Sequence, residues 1–209
     1  MLTSNRGLCG GYNGQVLRTS VRYLNESPDR RHELHVVGKK GSAYFRFLGR
    51  PVRRAITTIS DRPRFDQVEP IAADYIKQYE AGEFGRVSVA YMHFISAGRQ
   101  APEVMQLLPL TPPQPKGGEG GAAAVLYDFS PAPKELFKVL LPQTVKARLF
   151  QCFIDAAVSE ETARKIAMKA ATDAADDTIK LLSRQFNRAR QTQITMELLD
   201  IVGGSEALK

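Results

Sequence analysis

The chain has 209 residues, room for one full domain or one domain with an extension. With 43% hydrophobic and 24% charged residues it can bury a sizeable core, which excludes wholesale disorder. Lys and Arg number 29 against 22 Asp and Glu, a net charge of +7 that suits acidic partners (nucleic acid, anionic headgroups or an acidic protein face) without choosing among them.

Cys9 and Cys152 make no disulfide framework and neither sits in a CxxC pair, so a reducing, intracellular setting is expected. No apolar run is long enough to span a bilayer, and the start MLTSNRGLCGG lacks the basic flank and apolar stretch of a signal peptide.

The first 130 residues alternate in type. Val16, Leu17, Val21 and Leu24 recur at helical spacing and predict a helix over 11–24, closed by Asn25-Glu26-Ser27-Pro28. Residues 33–38 predict a short strand ending in a turn. Val68, Ile71, Ala72, Tyr75, Ile76 and Tyr79 predict a second helix over 65–79. The run 86–95 is rich in β-branched and aromatic residues and predicts the strongest strand, with a turn at Gly98 and a second extended run over 104–110. Residues 111–121, rich in proline and glycine, read as a flexible loop, and 122–129 as a last strand. Strands separated by helices argue for an α/β layer domain over 1–133 with a partly parallel sheet.

From Lys134 the texture changes, and 134–209 reads as a helical segment. Pro133 suits a first helical turn, and Pro142 kinks or restarts the helix. Val145 to Val202 holds neither proline nor glycine; one continuous helix of that length would be about 87 Å long, against a radius of gyration near 14 Å for a compact domain of the preceding residues. Such a helix must project from the domain. Leu149, Cys152, Ala156, Ser159, Ala163, Ile166 and Ala170 follow alternating three-four spacing, a coiled-coil seam of mostly small residues. No second segment of comparable length precedes it, so its partner helix is expected from outside these residues.

No motif carries an active site. The turn Arg6-Gly7-Leu8-Cys9-Gly10-Gly11-Tyr12-Asn13-Gly14 precedes a helix but lacks both the GK[ST] ending of a phosphate loop and GxGxxG spacing, and Gly38-Lys39-Lys40-Gly41-Ser42 fails on spacing too. His32, His35 and His93 have no carboxylate cluster in sequence, so no metal and no cofactor is expected. Cys9 reads as a small buried thiol. Asp173, Asp176 and Asp177 read as a solvated acidic face. The run 183–195 is polar and basic, and Ile194, Leu198, Leu199, Ile201 and Val202 beyond it form an apolar tip unsuited to water.

Three segments together resemble the gamma subunits of F-type ATP synthases: the glycine turn 6–11, the helical motif Ser159–Arg164 with Ala167–Ala174, and the close Asn187-Arg188-Ala189-Arg190-Gln191, Ile194-Thr195, Glu197-Leu198, Ile201-Val202-Gly203-Gly204. The resemblance implies a rotor shaft that couples proton flow to ATP chemistry and catalyses nothing itself. Its fold is a small Rossmann-like βαβ domain and a long C-terminal helix forming half of an antiparallel coiled coil. The implied partners are the alpha and beta subunits, the epsilon subunit and the membrane c ring, with no nucleic acid, and a peripheral place on the cytoplasmic face of a bacterial membrane.

By position, Arg190, Gln191 and Thr195 would be catch contacts to a beta-subunit loop. Ile194, Leu198, Ile201 and Val202 would sit in the hydrophobic bearing of the hexamer. Tyr127, Phe129 and Ser130 would match the foot facing the c ring and epsilon, where Ser130 stands in place of the family's usual acid. Family members begin with a long helix and most of a first strand that these residues lack, and that helix is the expected partner of the alanine-rich seam. Without it the seam should drive self-association or partial unfolding. Two other readings stand beside this one: a basic coiled-coil or nucleic-acid-binding protein, which the +7 would explain, and a Rossmann-like nucleotide-binding enzyme, which the α/β half would explain.

Overall fold

The structure is a computed structural model that describes residues 1–26, 31–111 and 133–207. The elements in chain order are α1 (Tyr12–Asn25), β1 (His35–Val37), α2 (Lys39–Phe47), β2 (Arg54–Ile56), α3 (Phe65–Glu80), β3 (Val87–Ser96), β4 (Arg99–Leu108) and α4 (Pro133–Ala207). The expected strand over 122–129, the loop 112–121 and Tyr127, Phe129 and Ser130 lie outside the described residues. The chain divides into two compact units, Met1–Arg164 and Lys165–Lys209.

In the first unit β1 and β2 pair in parallel, with Val36 opposite Ala55, and β3 and β4 form an antiparallel hairpin with Val89 opposite Met105. The extended segment at Met1–Thr3 joins these pairs. Leu2 donates its amide to the Ala90 carbonyl on β3, while Thr3 donates to the Val37 carbonyl and Val37 to the Met1 carbonyl, all at 2.9 Å. The mixed α/β architecture expected from the sequence is therefore present, with β1–α2–β2 as a βαβ unit.

α2 and β2 were not among the expected elements. The glycines at 38 and 41, which break the sequence pattern, are what let α2 start. Gly38 has φ +97°, and a Cβ there would stand 2.1 Å from the Thr3 carbonyl oxygen. A Cβ on Gly41 would meet the Thr3 hydroxyl oxygen at 2.6 Å. The segment at Met1–Ser4 thus runs directly beneath the first turn of α2.

The helices form on the faces that the periodicity marks. α1 buries Tyr12, Val16, Leu17 and Ser20, and α3 buries Val68, Ile71 and Ala72. The Arg64 amide donates to the Gln67 side chain at 3.3 Å, satisfying one orphan donor at the start of α3. The main core gathers Leu2, Ile56, Val68, Ile71, Val89, Tyr91 and Leu107 with Val145, Leu149, Cys152, Phe153 and Ala156 of α4. Smaller clusters unite Cys9, Tyr12, Val16 and Met92, and Leu17, Val36 and Phe45.

This packing revises the expectation that the small-residue stripe has no partner within the chain. Leu149, Cys152, Ala156 and Ser159 are buried in the first unit, and Ala163 packs on the Cys9 cluster. The sheet supplies the apolar surface they need, so the seam is shared between a domain-facing half and an exposed half at Ile166 and Ala170. Pro142 lies inside α4, and the helix runs through Gly203 and Gly204 to Ala207.

Gly38→Ala is expected to cost about 2–4 kcal/mol, because it combines a left-handed backbone with a backbone collision; urea unfolding followed by circular dichroism measures it. Cys152 carries a second prediction. Burial pushes its thiol up from 9.0 to about 12, so the folded chain keeps the proton while the unfolded chain loses it. This contribution is fully present below pH 9 and is lost as pH rises through about 12. Cys152→Ala should flatten the alkaline decline of stability over that window, read from urea midpoints at stepped pH.

Candidate functional site

The second unit is the helical stretch of α4 from Lys165 onward, and its described side chains up to Glu206 are mostly exposed. It is helical because alanine and long unbranched side chains dominate and no helix breaker occurs before Gly203. Ile179, Leu182, Phe186, Ile194, Met196, Leu198, Leu199, Ile201 and Val202 are all exposed, Ile201 by 69%. That much uncovered apolar surface on one helix marks a surface that binds another chain.

Arg190, Gln191, Ile194, Thr195, Leu198, Ile201 and Val202 share one side of this helix. At 3.6 residues per turn they fall within an arc of roughly 140°. The arc offers a guanidinium and an amide beside aliphatic side chains, a combination suited to gripping carbonyls or carboxylates while apolar contacts exclude water. Thr195 donates its hydroxyl to the Gln191 carbonyl at 2.9 Å, and Thr192 bonds Arg188 likewise at 3.0 Å. The Thr195 oxygen retains acceptor capacity for a partner's donor. Met196 and Leu199 are exposed outside the arc, so apolar surface continues around the helix.

In the first unit, polar pairs hold α4 to the domain. Lys146 Nζ lies 2.7 Å from Glu69 Oε1 on α3, and His93 Nδ1 on β3 lies 2.8 Å from Asp155 Oδ2. Gln151 donates to the other Asp155 oxygen at 2.7 Å. Arg164 pairs with Glu160 and Glu161 along the helix, and Arg6 in the glycine turn bridges Asp61 at 2.5 Å and Glu161 at 3.5 Å. Burial raises the Glu160 carboxyl above the usual carboxylate range, while Arg164 opposes the shift. The pairs Lys146–Glu69, His93–Asp155, Arg6–Asp61 and Arg6–Glu161 were not legible from the sequence, because each joins residues that only the fold brings together; the one signal was a histidine in an otherwise apolar strand.

The two glycine turns are both tied to the segment at Thr3–Asn5. At the α2 start, the amides of Lys39, Lys40 and Gly41 donate to Asn5 Oδ1 at 3.2 Å, the Ser4 carbonyl at 3.1 Å and Thr3 Oγ1 at 3.0 Å. In the first turn Leu8 has φ 62° and Gly10 φ 54°, and Asn13 reaches back to accept from the Ser4 amide at 3.0 Å and to donate to the Ser4 hydroxyl at 2.7 Å. Donors that would cradle a phosphate at the α2 start are thus taken by the chain itself. Among the described residues no cluster of histidine, cysteine and carboxylate side chains has the geometry of a metal site, and no helix is long and apolar enough to cross a membrane.

Comparison with known proteins gives these features a family. The family described as ATP synthase matches residues 1–208. The ATP synthase gamma chain of Rhodopirellula baltica is 40% identical over 218 aligned residues, covering 100% of this chain and 73% of the relative. The gamma chain of Saccharopolyspora erythraea is also 40% identical, over 224 residues covering 100% of this chain and 72% of that one. In fold, a chain of the Euglena gracilis mitochondrial ATP synthase assembly of OSCP, F1 and c-ring matches with a TM-score of 0.66 at 21% identity, covering 99% of this chain and 71% of that chain. A chain of the Tetrahymena thermophila mitochondrial ATP synthase central stalk and c-ring matches with a TM-score of 0.61 at 20% identity, covering 82% of this chain and 74% of that chain. With a matching family over nearly its whole length and gamma-chain relatives at this identity, the chain belongs to the ATP synthase gamma chain family.

Proposed function

We propose that the chain is a central rotor subunit that couples proton movement through a membrane c ring to ATP synthesis or hydrolysis in an alpha–beta hexamer. The observation that carries the reading is 40% identity to a gamma chain along all of this chain. A long helix with an uncovered apolar surface supports it, since a shaft has to be covered by the bearing it turns in. The subunit itself is non-catalytic: its work is to present different side chains to each catalytic subunit as it turns.

In this reading Arg190, Gln191 and Thr195 hydrogen-bond a beta-subunit loop, and Ile194, Leu198, Ile201 and Val202 run in an apolar sleeve. Ile166 and Ala170 continue the seam toward a second helix. Tyr127, Phe129 and Ser130 belong to the foot that meets the c ring and the epsilon subunit. The complex holds the chain at the cytoplasmic face of the membrane, peripherally. Residues 1–133 act as the foot domain and 134–209 as the shaft.

The test is ATP-driven proton pumping by the assembled enzyme in membrane vesicles. Arg190→Ala together with Gln191→Ala should lower pumping by about tenfold, the loss of two hydrogen bonds at a desolvated contact. The thermal unfolding of Met1–Arg164 should not change, because both side chains are exposed. An enzyme that assembles and pumps in cells lacking this chain would sink the proposal.

A further inference from the structure

A shaft transmits torque only if the domain cannot slip around it, and an apolar seat alone is poorly suited to prevent slipping because hydrophobic burial is non-directional. Val145, Leu149, Cys152, Phe153 and Ala156 define the direction in which α4 faces the domain core. Taking 3.6 residues per turn, Lys146 lies about 80° to one side of that direction and Asp155 about 100° to the other.

Both side chains are held. Lys146 Nζ meets Glu69 Oε1 of α3 at 2.7 Å, and Asp155 Oδ2 meets His93 Nδ1 of β3 at 2.8 Å. Lys146 and Asp155 are only 17% and 10% exposed, while their partners Glu69 and His93 are each 43% exposed, so it is the α4 member of each contact that is shielded from water. Gln151 takes the second Asp155 oxygen at 2.7 Å and fixes the carboxylate's orientation.

We infer that the Lys146–Glu69 and Asp155–His93 pairs form a torsional lock, gripping opposite flanks of α4 so that the helix cannot rotate about its own axis against the domain. The magnitudes support this. Turning a helix by about 20° carries an atom at its outer radius of roughly 6 Å through about 2 Å. A hydrogen bond made at 2.7 Å does not survive that displacement. Rotation in one sense withdraws Lys146 from Glu69, and rotation in the other withdraws Asp155 from His93. The pairs lie nine positions apart in sequence, about 13 Å along the axis, so they also resist tilting. The four residues are positioning residues: they touch no nucleotide and act by holding the helix at a fixed angle. The Arg6–Glu161 contact is not part of the lock, since both side chains are more than half exposed and such pairs contribute little.

This inference rests on the rotor reading, and its test separates the two. The assembled enzyme containing the full chain is reconstituted in vesicles, and protons pumped per ATP hydrolysed are followed as the opposing gradient rises. The unaltered chain should hold its ratio. The double variant Glu69→Gln, Asp155→Asn should lose about twofold or more of that ratio at the highest gradient while ATP hydrolysis continues, because torque slips at the seat rather than at the catalytic sites. The charge swap Glu69→Lys, Lys146→Glu should recover most of the loss seen with Glu69→Lys alone, a rescue that a packing defect would not give.

A double variant that assembles and pumps at the unaltered ratio against the full gradient overturns the lock. If the double variant does not assemble, Glu69→Gln alone carries the same readout, Glu69 being the more exposed of the two carboxylates, and an unaltered ratio there overturns the lock too. Pumping that needs no copy of this chain would instead overturn the rotor reading.

Discussion

The burial of one side of α4 between Val145 and Ala156 is the interaction on which the domain depends. These side chains complete a core that the sheet and α3 leave open, contributing Val145, Leu149, Cys152, Phe153 and Ala156 to the same cluster as Leu2, Val68, Val89 and Leu107. Full burial of a Val, Leu or Phe side chain contributes on the order of 2 kcal/mol, so Val145, Leu149 and Phe153 together contribute about 6 kcal/mol, comparable to the net stability of a domain. The helix is therefore part of the domain's core over this stretch and not an appendage to it. The same helix continues to Ala207.

A second constraint is the close approach of the segment at Met1–Ser4 to α2. The segment occupies the middle of the sheet, hydrogen-bonding to Val37 on one side and Ala90 on the other. The Thr3 hydroxyl, the Ser4 carbonyl and the side chain of the following Asn5 supply the acceptors for the first amides of α2. One stretch of chain thereby satisfies two edges and a helix start, which explains why glycines stand at 38 and 41 and why the amides at the α2 start are not free to bind an anion. The glycine-rich look of a nucleotide site here has a packing origin.

Polar pairs then give direction to contacts that the apolar core leaves permissive. Buried apolar contacts fix which side of α4 faces inward; Lys146, Asp155 and their partners fix its angle. Tyr91 reaches toward Glu103 at 3.4 Å, and Glu160 is buried beside Arg164, so the border of the α4 seat is lined with charges held by their neighbours. Side-chain entropy favours such an arrangement only where the partners are already held by packing, which is the case for Asp155 and Lys146.

The sequence by itself determined the elements with strong periodicity: α1, α3 and β3 within a residue of their observed limits, β4 with its start five residues late, and the proline- and glycine-free helix of 145–202, which the structure extends to Pro133–Ala207. It also determined that residues 187–202 carry a polar band followed by an apolar tip, because that is composition along a single helix and needs no fold. The short β1–α2–β2 unit was only partly legible. Three-residue strands have too little alternation to register, and Gly38-Lys39-Lys40-Gly41-Ser42 imitates a loop because it is shaped by a contact with Thr3 far away in sequence. Only the tertiary structure decided how the small-residue stripe of α4 is shared, with Leu149, Cys152 and Ala156 inward on the chain's own sheet and Ile166 and Ala170 left exposed. The physical reason is that periodicity reports that a face must be buried, whereas what buries it depends on which surfaces the fold brings within contact distance.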